Sequence, residues 1–271
     1  MESVSATDLV SARATLERAV RTAGAIQLKG SPSLRVEAKG EGDIVTSVDQ
    51  ACEAAVVELI RKAHPSHGIL AEEEGAKGTE ARAAAGPLWI LDPLDGTKNY
   101  VHGLPRFGCA LALRWDGATL LGAVYDPTHE ELFVAHQGNG ATLNGSPIRV
   151  SSTGDLDQAL VASALTVRRR YAAHHFERLR MLAQSTQGVR VGGCAALDLC
   201  DVARGRLDAF LEEGLDPWDT AAGALIVREA GGTVADFRGG DHDPFGTETL
   251  ASNGAIGAAL VERLRVTEAA R

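Results

Sequence analysis

Two carboxylates follow an apolar run in the first half of the chain. Residues 88–91 are apolar, and Asp92 and Asp95 come after them, with Gly96 and Thr97 next. One backbone bend separates the two aspartates, so both carboxylates can reach a common point. If a helix begins at Gly96, its free N–H groups form an anion cradle, and carboxylate oxygens beside such a cradle suit Mg²⁺ and phosphate. An Asp-Pro turn followed by a threonine cap produces the same string, so this segment alone leaves both interpretations open.

The apolar run predicts a short buried strand that ends at about Asp92. Its length is typical of a core strand, and Pro93 has no N–H group to donate to a neighbouring strand. A second apolar segment, residues 69–71, ends in the same way at Glu72. If the two strands are neighbours, the carboxylates of Glu72 and Asp92 meet at one edge of a sheet.

A further carboxylate, Asp49, lies near the start of a predicted helix. Residues 47–63 form that helix, and Ser47 and Gln50 fit a capping box at its beginning. The helix dipole favours a carboxylate in the first turn. The position of Asp49 by itself therefore indicates helix stability and not chemistry.

The rest of the chain changes its pattern at about residue 151. A helix is predicted over 8–29, and the segment from 107 to 150 reads as an antiparallel meander in which Asn144-Gly145 is a hairpin signal. Strands and helices then alternate, with strands predicted at 160–164, 189–191, 208–211, 233–237 and 250–252 and helices at 168–184, 195–203, 220–230 and 255–264. No linker or internal repeat separates the two patterns. We expect one domain over 1–271 with an α+β subdomain, 1–150, and an α/β subdomain, 151–271.

Charge and composition limit the partners. The chain has 271 residues, 27 basic and 36 acidic, with a net charge of −9, which disfavours nucleic acid and leaves acidic clusters available for cations. The N-terminus lacks a signal-peptide pattern, and no segment reaches the roughly 18 apolar residues of a membrane span. Cys52, Cys109, Cys194 and Cys200 lack metal-ligand spacing, so we expect them to be buried and reduced. The expected protein is cytoplasmic, without a membrane partner.

Three other hydrolytic chemistries require motifs that the sequence lacks. An aspartyl nucleophile of the dehalogenase type needs Asp-x-Asp-x-Thr, whereas two residues lie between Asp92 and Asp95. A cysteine phosphatase needs Cys-x₅-Arg, but only four residues lie between Cys109 and Arg114. The Gly-x-Ser-x-Gly motif of serine hydrolases is absent. What remains is metal-activated water that attacks a phosphoryl group, with carboxylates collected from several strand ends.

Four segments resemble the signature motifs of the inositol monophosphatase family. They are residues 43–49, 71–73, 89–100 and 217–223, in the family's order and separation, so the resemblance covers about residues 8–262. The two long motifs are highly specific, whereas the glutamate pair alone is not. The resemblance implies an α+β fold, a five-layered αβαβα sandwich, usually dimeric. It also implies a Mg²⁺-dependent, lithium-sensitive phosphomonoesterase.

The resemblance also implies roles for individual residues. The implied metal ligands, which would hold two to three Mg²⁺ ions, are Glu72, Asp92, the Leu94 carbonyl, Asp95 and Asp219. Glu72 and Thr97 would orient the attacking water, with Asp49 hydrogen-bonded to Thr97. The implied phosphate-binding residues are Asp95, Gly96 and Thr97. The implied contacts to the substrate alcohol are Gly193, Cys194, Ala195, Glu212 and Asp219.

Related families share the metal ligands, so other positions must indicate the substrate. Relatives that act on adenosine 3′,5′-bisphosphate usually carry Glu at the position of Asn99, whereas histidinol-phosphate phosphatases often share Lys98-Asn99. Residues 210–219 resemble the inositol monophosphatase form. We expect hydrolysis of inositol monophosphate, a small-molecule phosphate ester, by a homodimer. Histidinol-phosphate phosphatase, fructose-1,6-bisphosphatase or a broad sugar-phosphate phosphatase, and a metal-bound interaction protein remain alternatives.

Overall fold

The structure is a computed structural model that describes residues 6–30, 34–40, 43–73, 86–164 and 172–269. The elements of the first half are α1 (Ala6–Lys29), β1 (Val36–Gly40), β2 (Asp43–Thr46), α2 (Ser47–Ala63), β3 (Gly68–Ala71), β4 (Leu88–Asp95), α3 (Thr97–Val101), β5 (Gly108–Trp115), β6 (Ala118–Asp126), β7 (Glu131–His136), β8 (Ala141–Leu143) and β9 (Ser146–Pro147). Those of the second half are β10 (Leu160–Ser163), α4 (Ala172–Ser185), β11 (Gly188–Arg190), α5 (Ala195–Ala203), β12 (Ala209–Glu213), α6 (Pro217–Glu229), β13 (Thr233–Ala235), β14 (Glu248–Ser252) and α7 (Gly257–Ala269), after a short 3₁₀ turn at Leu156–Gln158.

The first half forms a sheet in the order β3-β4-β5-β6-β7-β8-β9. The strands from β4 onwards pair antiparallel, so the predicted meander is confirmed. Asn144 and Gly145 have φ angles of 49° and 82°, and they form the predicted hairpin turn between β8 and β9. β3 instead pairs parallel with β4, which places the ends of these two strands at the same edge.

The strand that carries the two central aspartates is longer than predicted. β4 runs to Asp95, so the predicted end at about Asp92 is wrong. Asp92 pairs with Ala110 and Asp95 pairs with Gly108, which leaves one extra residue on β4 and marks a β-bulge. Pro93 lies within this bulge, where the ladder needs no N–H donor. Because Ala110 and Gly108 are two residues apart on β5, the bulge turns Asp92 and Asp95 to the same face of the sheet.

The N-terminus of α2 differs by one residue from the prediction. Thr46 is the N-cap, so the predicted capping box of Ser47 and Gln50 is wrong. Thr46 Oγ1 accepts from the N–H groups of Val48 at 3.1 Å and Asp49 at 3.4 Å, and Asp49 Oδ2 accepts from the Thr46 N–H at 3.0 Å. The physical reason is that β2 ends in an extended residue at Thr46, which is the backbone conformation of an N-cap.

The second half forms a mixed sheet in the order β11-β10-β12-β14-β13. β10 pairs parallel with β11 and β12, and β14 pairs antiparallel with β12 and β13. The predicted alternation of strands and helices is confirmed for this sheet. The helix predicted over 168–184 is described as Ala172–Ser185, and residues 165–171 lie outside the described part. The last helix begins at Gly257, two residues later than predicted, and continues to Ala269.

Side chains along β4 point alternately into two cores. Trp89 and Leu91 pack against α1 and α2, whereas Ile90 packs on the opposite face against α5 and α6. Phe210 of the second sheet covers the far side of these central helices. The outer face of the second sheet packs against α4 and α7. The layers therefore follow the order α, β, α, β, α, and the predicted five-layered sandwich is confirmed.

A close contact brings α6 onto the first sheet. A Cβ atom on Gly122 of β6 would lie 2.9 Å from the carbonyl oxygen of Ala222, so only glycine allows this approach. α6 therefore lies directly on the sheet. Its first turn, which carries Asp219, is positioned for the site described below.

The cysteines and the hydropathy of the helices were both the subject of expectations from the sequence. All four cysteines are buried and free. Within the described ranges, no helix has both the length and the apolar character that crossing a membrane requires.

The cap of α2 generates a testable prediction. Replacing Thr46 with Ala removes the acceptor for two N–H groups, so we expect the free energy of unfolding to fall by about 1–2 kcal/mol, measured by urea denaturation. Gln50→Ala is the matched control, because Gln50 is exposed on the same helix, and we expect a change within about 0.5 kcal/mol. Equal losses in the two variants would show that Thr46 is not the cap.

Candidate active site

The ends of β3 and β4 meet at one edge of the first sheet. Ala71 pairs with Leu91 in the parallel ladder, and the N–H of Glu72 donates to the Leu91 carbonyl at 3.3 Å. Glu72 and Asp92 therefore lie side by side, as predicted for neighbouring strands. Both line a cleft of about 230 Å³.

Three carboxylates in this cleft form a compact cluster. One oxygen from each of Asp92, Asp95 and Asp219 lies within 4.8 Å of the other two. Burial, followed by the charges of Glu72, Asp95 and Asp219, raises the pKa of Asp92 well above its ordinary value. Burial and then the charge of Asp95 raise the pKa of Asp219 in the same direction. Hard oxygen donors that repel one another in a buried site fit a divalent cation such as Mg²⁺.

Backbone N–H groups hold the cluster in place. Asp92 Oδ1 accepts from the Leu94 N–H at 2.9 Å, which fixes it across the bulge. Asp219, in the first turn of α6, accepts from the Asp216 N–H at 2.6 Å. These bonds orient the carboxylates while leaving other oxygen lone pairs towards the cleft.

Asp95 joins the two halves of the chain. Its Oδ2 accepts from the N–H of Ala196 at 2.6 Å and from Cys194 Sγ at 3.1 Å. Both donors lie at the start of α5. Burial raises the pKa of Asp95, and these hydrogen bonds oppose that effect. The aspartate therefore fixes the start of α5 beside the cluster.

Glu72 lines the cleft but is not a member of the three-carboxylate cluster. Its Oε1 accepts from Lys39 Nζ at 2.9 Å, and the same ammonium group binds Glu73 at 2.7 Å. Burial raises the pKa of Glu72 to about 7, against the opposing effect of the Lys39 charge. Lys39 was not identified from the sequence, because nothing in its local pattern marks a partner more than 30 residues away.

Thr97 and Asp49 are hydrogen-bonded beside the cluster. Thr97 Oγ1 lies 3.0 Å from Asp49 Oδ1 and 2.9 Å from the Leu94 carbonyl oxygen. Both partners are acceptors, so the Thr97 hydroxyl donates to them and its oxygen lone pairs remain available. Asp49 is fully buried behind Thr97, whereas Thr97 and Gly96 line the cleft. The first-turn position of Asp49 therefore serves both the helix cap and Thr97.

The opposite wall of the cleft comes from the second half of the chain. Gly193, Cys194, Ala195 and Glu212 line the same cleft as the cluster. Burial, followed by the charges of Asp198 and Asp95, raises the pKa of Glu212 to about 8. The structure thus brings together predicted residues that are about 100 positions apart in the chain.

Gln27 supports the site and was not identified from the sequence, although its position in α1 gave a signal. Gln27 Nε2 donates to the Pro93 carbonyl at 2.8 Å and so connects α1 to the bulge of β4. Leu16, Val20 and Ala23 form the buried stripe of α1, and Gln27 continues it at helical spacing. A buried amide in an otherwise apolar stripe indicates a specific partner.

Comparisons with known proteins agree with this fold. The model of the inositol monophosphatase family matches residues 8–268, and the chain belongs to that family. It is 41% identical over 253 residues to Nus factor SuhB of Escherichia coli K12. The match covers 92% of this chain and 93% of that relative.

Two solved structures are similar to the chain. An inositol monophosphatase from Anabaena is 36% identical, with a TM-score of 0.85, and the match covers 96% of this chain and 97% of that one. A structure of an inositol monophosphatase/NADP phosphatase complexed with Mg²⁺ and phosphate is 25% identical, with a TM-score of 0.78 and 90% coverage of both chains.

The repulsion in the cluster generates a prediction for Asp219→Asn. The amide oxygen can still accept from the Asp216 N–H, but one buried charge is lost. In EDTA we expect the variant to melt at a higher temperature than the native chain. Saturating Mg²⁺ should raise the melting temperature of the native chain by about 5 °C or more, and that of the variant much less.

Asp155→Asn is the matched control, because Asp155 is exposed and lies outside the cleft. We expect it to respond to Mg²⁺ like the native chain. A full Mg²⁺ response in Asp219→Asn would contradict the assignment of Asp219 as a ligand.

Proposed function

We propose that the chain is a Mg²⁺-dependent phosphomonoesterase that hydrolyses inositol monophosphate. The observation that carries the proposal is the cluster of Asp92, Asp95 and Asp219 facing the wall of Gly193 and Glu212 across one small cleft. The similarity to the Anabaena inositol monophosphatase supports it, as does the relative complexed with Mg²⁺ and phosphate.

The chain offers oxygen ligands for two to three Mg²⁺ ions. The proposed ligands are Glu72, Asp92, the Leu94 carbonyl, Asp95 and Asp219. When bound, the ions supply positive charge that activates water and neutralises the charge on the phosphate and the leaving oxygen. Glu72 Oε1 is paired with Lys39, so Oε2 is the oxygen that Glu72 offers to a cation.

Thr97 and Glu72 orient the attacking water in this proposal. Thr97 donates its hydroxyl hydrogen to Asp49 or to the Leu94 carbonyl, so its oxygen accepts a hydrogen bond from the water. That acceptor sets the direction in which the water's own lone pair points. The Gly96 and Thr97 N–H groups, together with Asp95, position the phosphate.

The second half of the chain provides the contacts to the alcohol. We assign this role to Gly193, Cys194, Ala195, Glu212 and Asp219. Positive charge in the cleft favours the ionised form of Glu212, and a carboxylate accepts hydrogen bonds from two hydroxyl groups well. The proposal also includes inhibition by Li⁺ and a homodimer, both of which rest on family membership. It further includes one domain over residues 1–271 with subdomains 1–150 and 151–271, which rests on the change of sequence pattern at about residue 151.

The substrate can be tested by phosphate release with Mg²⁺. We expect the native chain to hydrolyse inositol 1-phosphate in preference to histidinol phosphate, fructose 1,6-bisphosphate and adenosine 3′,5′-bisphosphate. The Asp219→Asn substitution should lower kcat by at least about 100-fold. Addition of EDTA should abolish turnover. A preference for histidinol phosphate or a sugar phosphate would move the assignment to that alternative, and no turnover of any ester would reject the enzyme.

A role as an interaction protein is a second candidate function. The observation that favours it is the 41% identity to a protein named Nus factor SuhB. The net charge of −9 favours a protein partner over nucleic acid. Such a role need not depend on hydrolysis, since a binding surface and a catalytic cleft can be separate on one fold.

This second role is testable by replacing SuhB in Escherichia coli with the native chain or with Asp219→Asn. If both restore the Nus-factor function that a strain without SuhB lacks, the chain acts as a Nus factor independently of catalysis. Restoration by the native chain alone would attribute the effect to hydrolysis. Failure of both would reject the second candidate.

A further inference from the structure

The Asn99 side chain connects the two walls of the cleft. Its Nδ2 lies 2.8 Å from the Arg106 carbonyl oxygen, 2.9 Å from that of Gly192 and 3.3 Å from that of Gly193. Carbonyl oxygens only accept hydrogen bonds, so the amide must present its NH₂ group to all three. Asn99 follows the phosphate motif in the first half of the chain, and the two glycines belong to the second half. One partly buried amide therefore joins segments that are 93 residues apart.

The 192–195 segment has little regular structure to hold it in place. Gly192 and Gly193 lie between β11 and α5, and Gly193 has a φ of +72°. Two successive glycines have wide conformational freedom. A Cβ atom on Gly192 would lie 2.6 Å from Arg106 Nε, so the backbone passes very close to this side chain. Contacts from other segments therefore set the position of these residues.

Two separate contacts set that position. Asp95 binds Ala196 and Cys194 at the start of α5, and Asn99 binds Gly192 and Gly193 before it. Asp95 also belongs to the carboxylate cluster, whereas Asn99 does not. Loss of the Asn99 amide would leave the cluster and the contact of Asp95 with α5 intact. It would free the part of the segment that precedes α5, together with the Arg106 carbonyl.

We propose that Asn99 is a positioning residue that determines which alcohol the cleft accepts. This inference rests on the proposed function, in which Gly193, Cys194 and Ala195 of the 192–195 segment contact the alcohol. Asn99 acts through the carbonyl groups of Gly192 and Gly193. A ring polyol presents several hydroxyl groups in fixed directions, so a shift of this segment by about 1 Å weakens several of its hydrogen bonds together. A small alcohol that does not reach the segment is insensitive to the same shift.

The test compares two phosphate esters in the Asn99→Ala variant. With inositol 1-phosphate we expect KM to rise about tenfold, the size expected when the equivalent of one or two neutral hydrogen bonds is lost. With glycerol 2-phosphate, whose three-carbon alcohol is small, we expect KM to change less than about twofold. The Mg²⁺ concentration for half-maximal activity should remain that of the native chain, because the ligands are unchanged.

Two further variants control the comparison. Asn139→Ala is the matched control, since Asn139 is exposed in a turn and its Nδ2 donates to one carbonyl, that of Gln137, at 3.0 Å. It should leave KM for both esters unchanged. Glu212→Gln is the positive control for a defect in alcohol recognition, and it should affect inositol 1-phosphate more than glycerol 2-phosphate.

The outcomes separate this inference from the proposed function. Equal changes of KM with both esters, or a shifted Mg²⁺ requirement, would show that Asn99 is a general structural residue and would overturn the inference alone. A native chain that hydrolyses neither ester would reject the proposed function and the inference with it. A selective rise in KM for inositol 1-phosphate supports both.

A second variant covers the case in which Asn99→Ala does not fold. Asn99→Leu keeps a side chain of similar volume but has no NH₂ group, so the same three carbonyl groups lose their donor. We expect the same selective rise in KM for inositol 1-phosphate, and an unchanged KM would overturn the role of Asn99.

Discussion

Repulsion between clustered carboxylates is the constraint on which the rest of the structure depends. Asp92, Asp95 and Asp219 place three acceptor groups within 4.8 Å of one another. In the absence of cations this arrangement opposes folding, as the raised pKa values of these groups indicate. Backbone N–H donors offset part of the cost, and hydrophobic packing on both sides of the sheet holds the strand ends in place. The folded chain therefore maintains a cleft in which the proposed cations would offset the repulsion.

The β-bulge in β4 is the local feature that makes this cluster. In a regular strand Asp92 and Asp95 would point to opposite faces, because side chains alternate. The extra residue between their partners on β5 brings them to one face. Gln27 supports the same segment by donating to the Pro93 carbonyl. Irregular backbone next to a functional site, with support from a distant helix, is a common arrangement in enzymes.

The two ends of the cleft are built by different parts of the chain. The first sheet supplies most of the proposed metal ligands, and the second half supplies residues 193–195 and Glu212. α5 and α6 lie between the two sheets and carry the contacts that join them, through Ala196 and Asp219.

Local and periodic patterns in the sequence were sufficient for much of this picture. The helical spacing of α1, the hairpin at Asn144-Gly145 and the apolar strand before Asp92 all depend on residues close together in the chain, and the motifs resembling the family placed the site residues around them. The bulge, the Thr46 cap, the Lys39–Glu72 pair and the contacts of Asn99 depended on tertiary structure. The bulge and the Thr46 cap each depend on a shift of one residue, and the strands that flank these positions determine that shift. The other two join segments 33 and 93 residues apart, and only the packing of the layers brings such segments within hydrogen-bonding distance.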